Sequence, residues 1–202
     1  GLSVGTSVII AQDYGADRHA DVNRSVHTSI TISLISGLFV MIAGIVFCNP
    51  LLKMMGTPQN IIDLSVLYMK IYFIGMPASM VYNFGAAILR AIGDIRRPMY
   101  YLFISGIVNV VFNLFFVIVL QMGVAGVAWS TTISQYLSAA LILICLYRSH
   151  GAIRFIPKQM RIYKDRLKPI VKIGLPAGLQ GLLFSFSNVM VQSAVNSFGS
   201  TM

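Results

Sequence analysis

A run of 22 residues without a single charge, MYYLFISGIVNVVFNLFFVIVL from Met99 to Leu120, is the strongest constraint on how this chain can fold. At 1.5 Å per residue it makes a helix about 33 Å long, enough to cross the hydrocarbon core of a bilayer. Two asparagines interrupt it. Asn109 sits at its middle and Asn113 one turn further on along the same face, with Ser105 a turn earlier. An unpaired amide in hydrocarbon costs a few kcal/mol, so this polar stripe must face other helices or water rather than lipid.

Composition makes the span one of several. The 202 residues are 56% hydrophobic and only 10% charged, with a mean hydropathy of +0.78, where a soluble domain would carry about 25% charge. The fold class is therefore all-α, a polytopic helical membrane protein. The chain starts at Gly1 and ends at Met202 inside an apolar run, which reads as an internal piece of a longer protein.

Taken in order, residues 1–12 are the tail of a span rich in small residues, where Gly1, Gly5 and Ser7 let a neighbouring helix approach closely. The segment from Asp13 to Asn23 holds Asp13, Asp17 and Asp21 beside Arg18 and His19, and reads as a solvated turn rather than a catalytic or metal site. A second span covers about Ser29 to Cys48, ended by Asn49-Pro50. A short amphipathic connector turns at Gly56 and Pro58. The third span, about Ile61 to Ala87, is kinked by Pro77 and holds Lys70, a cation that either lies deep in a functional role or snorkels toward the outer headgroups, with Asp63 as a distant partner.

A basic corner follows at LRAIGDIRRPM, where Gly93 gives the turn its freedom and Pro98 starts the next helix; Arg90, Gly93, Asp94 and Pro98 shape this corner. After the Met99–Leu120 span and the uncharged turn QMG, a fifth span runs from about Val124 to Tyr147. The basic loop 148–172 then leads into a last span beginning near Ile170, interrupted by Pro176.

Charge sets the orientation. Segments 13–28, 88–98 and 148–172 carry 13 of the 15 Lys and Arg residues and alternate with the nearly uncharged connections, so they are expected on the cytoplasmic side of the inner membrane. That placement also explains the net charge of +9 without nucleic acid. On this topology Cys48 and Cys145 fall on opposite faces, which argues against a disulfide between them, and all three His are in or beside loops. No metal-ligand spacing or intramembrane constellation of acid, His and Cys points to an enzyme.

The Met99–Leu120 helix and its successor are joined by three residues and so are antiparallel neighbours. Asn113 and Thr131 each lie seven residues from the outer end, and Asn109 is matched with Gln135 near the midplane. Thr131, Gln135 and Ser138 share one face. Amide and hydroxyl oxygens at one level suit a hard cation or a proton-passing chain, and equally suit interhelical glue worth about 0.6 to 2 kcal/mol per pair. Pro77 and Pro176, both inside spans, fit the broken helices of a transporter core.

GLSVGTSVIIAQDYGA (1–16), LRAIGD…RRP (89–98), NVVFN (109–113), MGVAGVAWST (122–131) and IGLPAGLQ (173–180) together resemble the multidrug and toxic compound extrusion (MATE) family over essentially the whole chain. The resemblance implies twelve helices in two six-helix lobes with alternating access. Residues 1–147 would be most of the N-terminal lobe, 148–169 the cytoplasmic inter-lobe loop and 170–202 the first helix of the second lobe. It implies an antiporter that exports organic, often cationic, compounds against inward sodium or proton flow.

In some members an Asn and, four residues on, an Asp join a first-helix Asp and a sixth-helix Thr in a cation or proton site. Asn109 matches that Asn and Thr131 that Thr, while Asn113 stands where the Asp would be and cannot release a proton. Asn109, Asn113 and Thr131 are the primary site candidates; Asn83, Gln135 and Gln180 are weaker cavity candidates. No cofactor and no metal beyond a sodium ion is expected. The expected partners are a small-molecule substrate and the lipid bilayer, with the full-length protein a monomer. A lipid or polysaccharide flippase of the same wider superfamily is the alternative.

Overall fold

The structure is a computed structural model that describes residues 1–54 and 59–199. Gly56 and Pro58, the expected turn of the connector, lie outside the described residues. The described chain is seven α-helices without a strand: α1 Leu2–Gly15, α2 His19–Met54, α3 Gln59–Ile74, α4 Met76–Ala91, α5 Arg96–Leu114, α6 Val124–Arg148 and α7 Lys164–Gly199. Four of them are long and apolar enough to cross a membrane, and the bent pair α3–α4 passes the same test of length and composition when its two helices are taken together.

Several boundaries differ from those anticipated, each for a local reason. α2 begins at His19 instead of near Ser29 and runs through Pro50 to Met54. Proline holds a helical φ and removes one hydrogen bond, a loss the exposed last turn tolerates. The third span is two helices, broken at Gly75 and bent by 42°. Pro77 enters in the first turn of α4, where its missing N–H costs nothing. The Met99–Leu120 run is not a single α-helix either: α5 begins at Arg96 and gives way to a π-helical turn at Phe115–Val119. α7 begins at Lys164, six residues before Ile170, and carries both Pro169 and Pro176.

α2 packs on α1, α3 and α4, while α6 is flanked by α3, α4 and α5. Their shared core holds Ile10, Val26, Ile30, Ile88, Leu89, Ile142 and Leu146, all buried. α5 is bare by comparison, with a lipid-type face of Met99, Phe103, Val110 and Leu114 open on the chain. The close neighbour anticipated for Gly1 and Gly5 is α7. A Cβ on Gly1 would lie 2.5 Å from Gly178 Cα and one on Gly174 2.7 Å from Leu2 Cα. Small residues spaced by four on each helix bring the two backbones together.

The three basic connections gather at one end. Asn23 donates from its amide to the carbonyls of Ala152 and Arg154 at 3.2 and 3.0 Å, and Tyr163 N–H donates to Thr28 Oγ1. Buried His27 accepts from Ile156 N–H at 3.1 Å and lies against Phe155. The inter-helix segment is therefore a docked strap.

Of the three acids in the first turn, Asp17 is exposed as expected, but Asp13 and Asp21 are drawn into contacts, contrary to their reading as a solvated turn. Only Ala16–Arg18 separates α1 from α2, and the Asp13 side chain is 7% exposed. Arg166 of α7 reaches Asp13 Oδ2 at 2.9 Å, Asp21 Oδ1 at 3.0 Å and Asp165 Oδ2 at 3.2 Å. One guanidinium ties the ends of three helices. Arg166→Met leaves the buried Asp13 with only the exposed Arg18 guanidinium, 3.8 Å away, and should destabilise the protein by about 2 kcal/mol. Lys158→Met, at an exposed position, should cost under about 0.5 kcal/mol in the same thermal-unfolding series.

Candidate functional site

The polar stripe of α5 faces α6. Asn109 Nδ2 donates to Ser134 Oγ at 3.3 Å and lies 3.5 Å from Thr131 Oγ1, so it bridges one turn of the neighbouring helix. A cavity of about 330 Å³ opens beside this contact, lined by Ser105, Asn109, Thr131, Ser134, Gln135 and Ser138 with Leu102 and Gly106. Within it the hydroxyls give their protons to their own helices. Thr131 donates to Val127 O at 3.0 Å, Ser134 to Thr131 O at 2.8 Å, Ser138 to Gln135 O at 2.9 Å and Ser105 to Leu102 O at 3.0 Å. Back-bonding of this kind leaves oxygen lone pairs free. The site is thus a set of neutral oxygen acceptors with no carboxylate.

Gln135 completes it from the other side. Its Oε1 is buried without a hydrogen-bond partner and abuts Gly75 at the α3–α4 break, where a Cβ would collide with it. The neighbouring residues of α6 serve the same break. Thr132 Oγ1 donates to Ile71 O at 2.9 Å and Tyr136 OH to Ile74 O at 3.0 Å. At the break Gly75 N–H bonds Tyr72 O, which leaves Ile71 O to Thr132. One side of α6 builds the cavity, and the other supports the bend.

The remaining candidates are placed elsewhere. Asn113 is half-buried, lies outside this cavity and makes no side-chain hydrogen bond among the described residues. Asn83 donates to Ser79 O at 2.8 Å and faces a separate cavity of about 480 Å³ against Ser3, Ser36 and Val40. Gln180 is exposed on α7 and belongs to neither cavity. Lys70 is exposed and pairs with no carboxylate among the described residues.

At the corner Gly93 takes φ +86°, and Asp94 accepts from Arg97 N–H while its other oxygen pairs with Arg97 Nε at 3.2 Å. Pro98 is buried with its carbonyl held by Tyr82 OH, and the Arg90 carbonyl takes Gly93 N–H. The polar residues that sequence reasoning did not single out are Ser134 and Arg166. Ser134 follows Thr131 by three positions on α6 and was legible from that spacing. Arg166 gave no signal, being 153 residues from its partner Asp13.

The chain is similar to known proteins over nearly its whole length. Residues 1–115 match the family model described as MatE. Two proteins of Bacillus subtilis named probable multidrug resistance proteins are similar to it. YoeA is 30% identical over 99% of this chain and 45% of its own length, and YpnP is 32% identical over 98% and 44%. The chain therefore spans a little under half the length of these curated relatives. A crystal structure described as MATE in the bent conformation superposes with a TM-score of 0.86 at 28% identity, covering 92% of this chain and 42% of that one.

The packing at the break predicts a contrast between two glycines. Gly75→Val must displace Gln135 and should cost about 2 kcal/mol by overpacking. Gly106→Val meets open space on α5 and should cost well under half of that by thermal unfolding.

Proposed function

The chain belongs to the MatE family of multi-pass membrane proteins, and from that premise we propose that the protein carrying it is a secondary antiporter. It exports organic, often cationic, compounds by alternating access, with sodium as the coupling ion, from a cell whose inner membrane places the basic end of the bundle in the cytoplasm. The observation that carries this reading is the cavity between α5 and α6, where Asn109, Thr131 and Ser134 bring neutral oxygens together inside a membrane span and Gln135 forms part of the wall.

Neutral amide and hydroxyl oxygens are ligands for a hard cation. They cannot release a proton at physiological pH, since neither an amide nor an aliphatic hydroxyl titrates there. Sodium thus fits this donor set better than proton relay does. The net attraction must come from convergent dipoles, and Gln135 Oε1, which has no partner of its own, is the oxygen with most to gain. The multidrug resistance names of the Bacillus relatives support drug-like cargo. The bend at Gly75, next to the same cavity, supports motion of one part of the bundle against another.

Sodium-driven dye efflux by the full-length protein in inverted vesicles tests this. Asn109→Leu and Thr131→Val, each removing a cavity oxygen, should lower sodium-driven efflux about ten-fold. Asn113→Leu, outside the cavity, should change it by less than about two-fold. Efflux that follows a pH gradient and ignores sodium would overturn the choice of ion, and normal coupling in Asn109→Leu would overturn the site.

A further inference from the structure

A second cavity, of about 550 Å³, lies at the basic end of the molecule between the start of α5 and the end of α6. Arg97 and Tyr101 come from α5, and Arg148 and His150 from the end of α6 and the strap, with Leu141 and Ile144 forming its wall toward the bilayer. Its only carboxylate neighbour among the described residues is Asp94, which holds Arg97 Nε at 3.2 Å. Arg97 Nη1 also lies 3.9 Å from Cys145 Sγ, so this guanidinium is positioned rather than free. Two guanidiniums against one carboxylate leave the cavity electropositive, and the His150 imidazole adds a polar ring beside them.

Its position identifies the ligand class. Tyr100 and Tyr147, 57% and 52% exposed, stand beside it on the two helices, where exposed tyrosines mark the headgroup level. Ile144 of the wall is 50% exposed, and Ile104, one turn beyond Tyr101 on α5, is 44% exposed and adds apolar surface. A soluble anion would use the charges and leave this wall unpaired. We propose that the cavity is a binding site for an anionic phospholipid, its headgroup phosphate between Arg97 and Arg148 and an acyl chain along Leu141, Ile144 and Ile104. Basic pockets between spans on the cytoplasmic side bind such headgroups, and Arg matches phosphate oxygens through its planar fork.

Native mass spectrometry of the full-length protein, offered dioleoyl phosphatidylglycerol and dioleoyl phosphatidylcholine in equal amounts, tests this. The preference for phosphatidylglycerol should fall about ten-fold or more in Arg97→Gln/Arg148→Gln. It should fall about three-fold or more in Arg148→Gln/His150→Gln, which removes one of the two guanidiniums, leaves the Asp94–Arg97 pair intact and keeps the test valid if the first variant misfolds. Lys158→Gln/Lys164→Gln removes the same formal charge elsewhere at this end and should leave the preference within about two-fold. The proposal is overturned by a preserved preference in both cavity variants, by an equal loss in the lysine control, or by displacement of the lipid by excess inorganic phosphate.

Discussion

Within hydrocarbon there is no water to take an unpaired polar group, and α6 is where this fold meets that constraint. It is the most hydroxyl-rich helix of the chain and lies between α3, α4 and α5. Breaking a membrane helix at Gly75 frees carbonyls that would otherwise be costly, and the hydroxyls of Thr132 and Tyr136 take two of them. A bend of 42° can then be kept in the membrane without strain in the ladder. The other face of α6 receives Asn109, so the amide that first constrained the fold finds its partners on the helix that stabilises the break.

A different physics operates at the basic end. There the chain must join one set of spans to the next through a segment dense in Lys and Arg, which left alone would be a solvated loop. Asp13 and Asp21 prevent this by holding Arg166, and His27, Asn23 and Thr28 hold the backbone of the strap. Exposed charge with few partners leaves its segment at the water-facing end of the bundle, whereas the same charge with buried partners positions α7. Both uses occur within twenty residues of one another. The glycine contacts between α1 and α7 continue the same attachment into the membrane.

What could be read in the sequence follows from the range of the forces involved. The apolar spans and the polar face of α5 are set by composition and local periodicity, and the all-helical fold and the packing of that face on α6 follow from them. Helix ends were less legible. Pro50 was expected to stop α2, yet proline only removes one hydrogen bond at an exposed end; the π-helical turn at Phe115–Val119 has no side-chain signature at all. The Asp13–Arg166 pair was invisible because its partners are distant in sequence and each sits among other charges. Matching residues by depth paired Asn109 with Gln135 and Asn113 with Thr131, whereas Asn109 reaches Thr131 and Ser134 and Asn113 falls outside the cavity, because counting from helix ends ignores the offset between the two helices.

Gln135 joins the two halves of this argument. Its Oε1 is buried, accepts no hydrogen bond, and is pressed against the one backbone position of the break that has no side chain. An unsatisfied acceptor in this setting is a cost of about 1 to 3 kcal/mol that the fold carries. Under the proposed function, an ion held by Asn109 and Thr131 is the partner that would remove this cost. Movement of the amide toward the ion would also relieve the contact with Gly75, and so change the packing on which the α3–α4 bend rests. Ion occupancy and helix bending would then be linked by a single side chain, through a differential interaction with two arrangements of the same break.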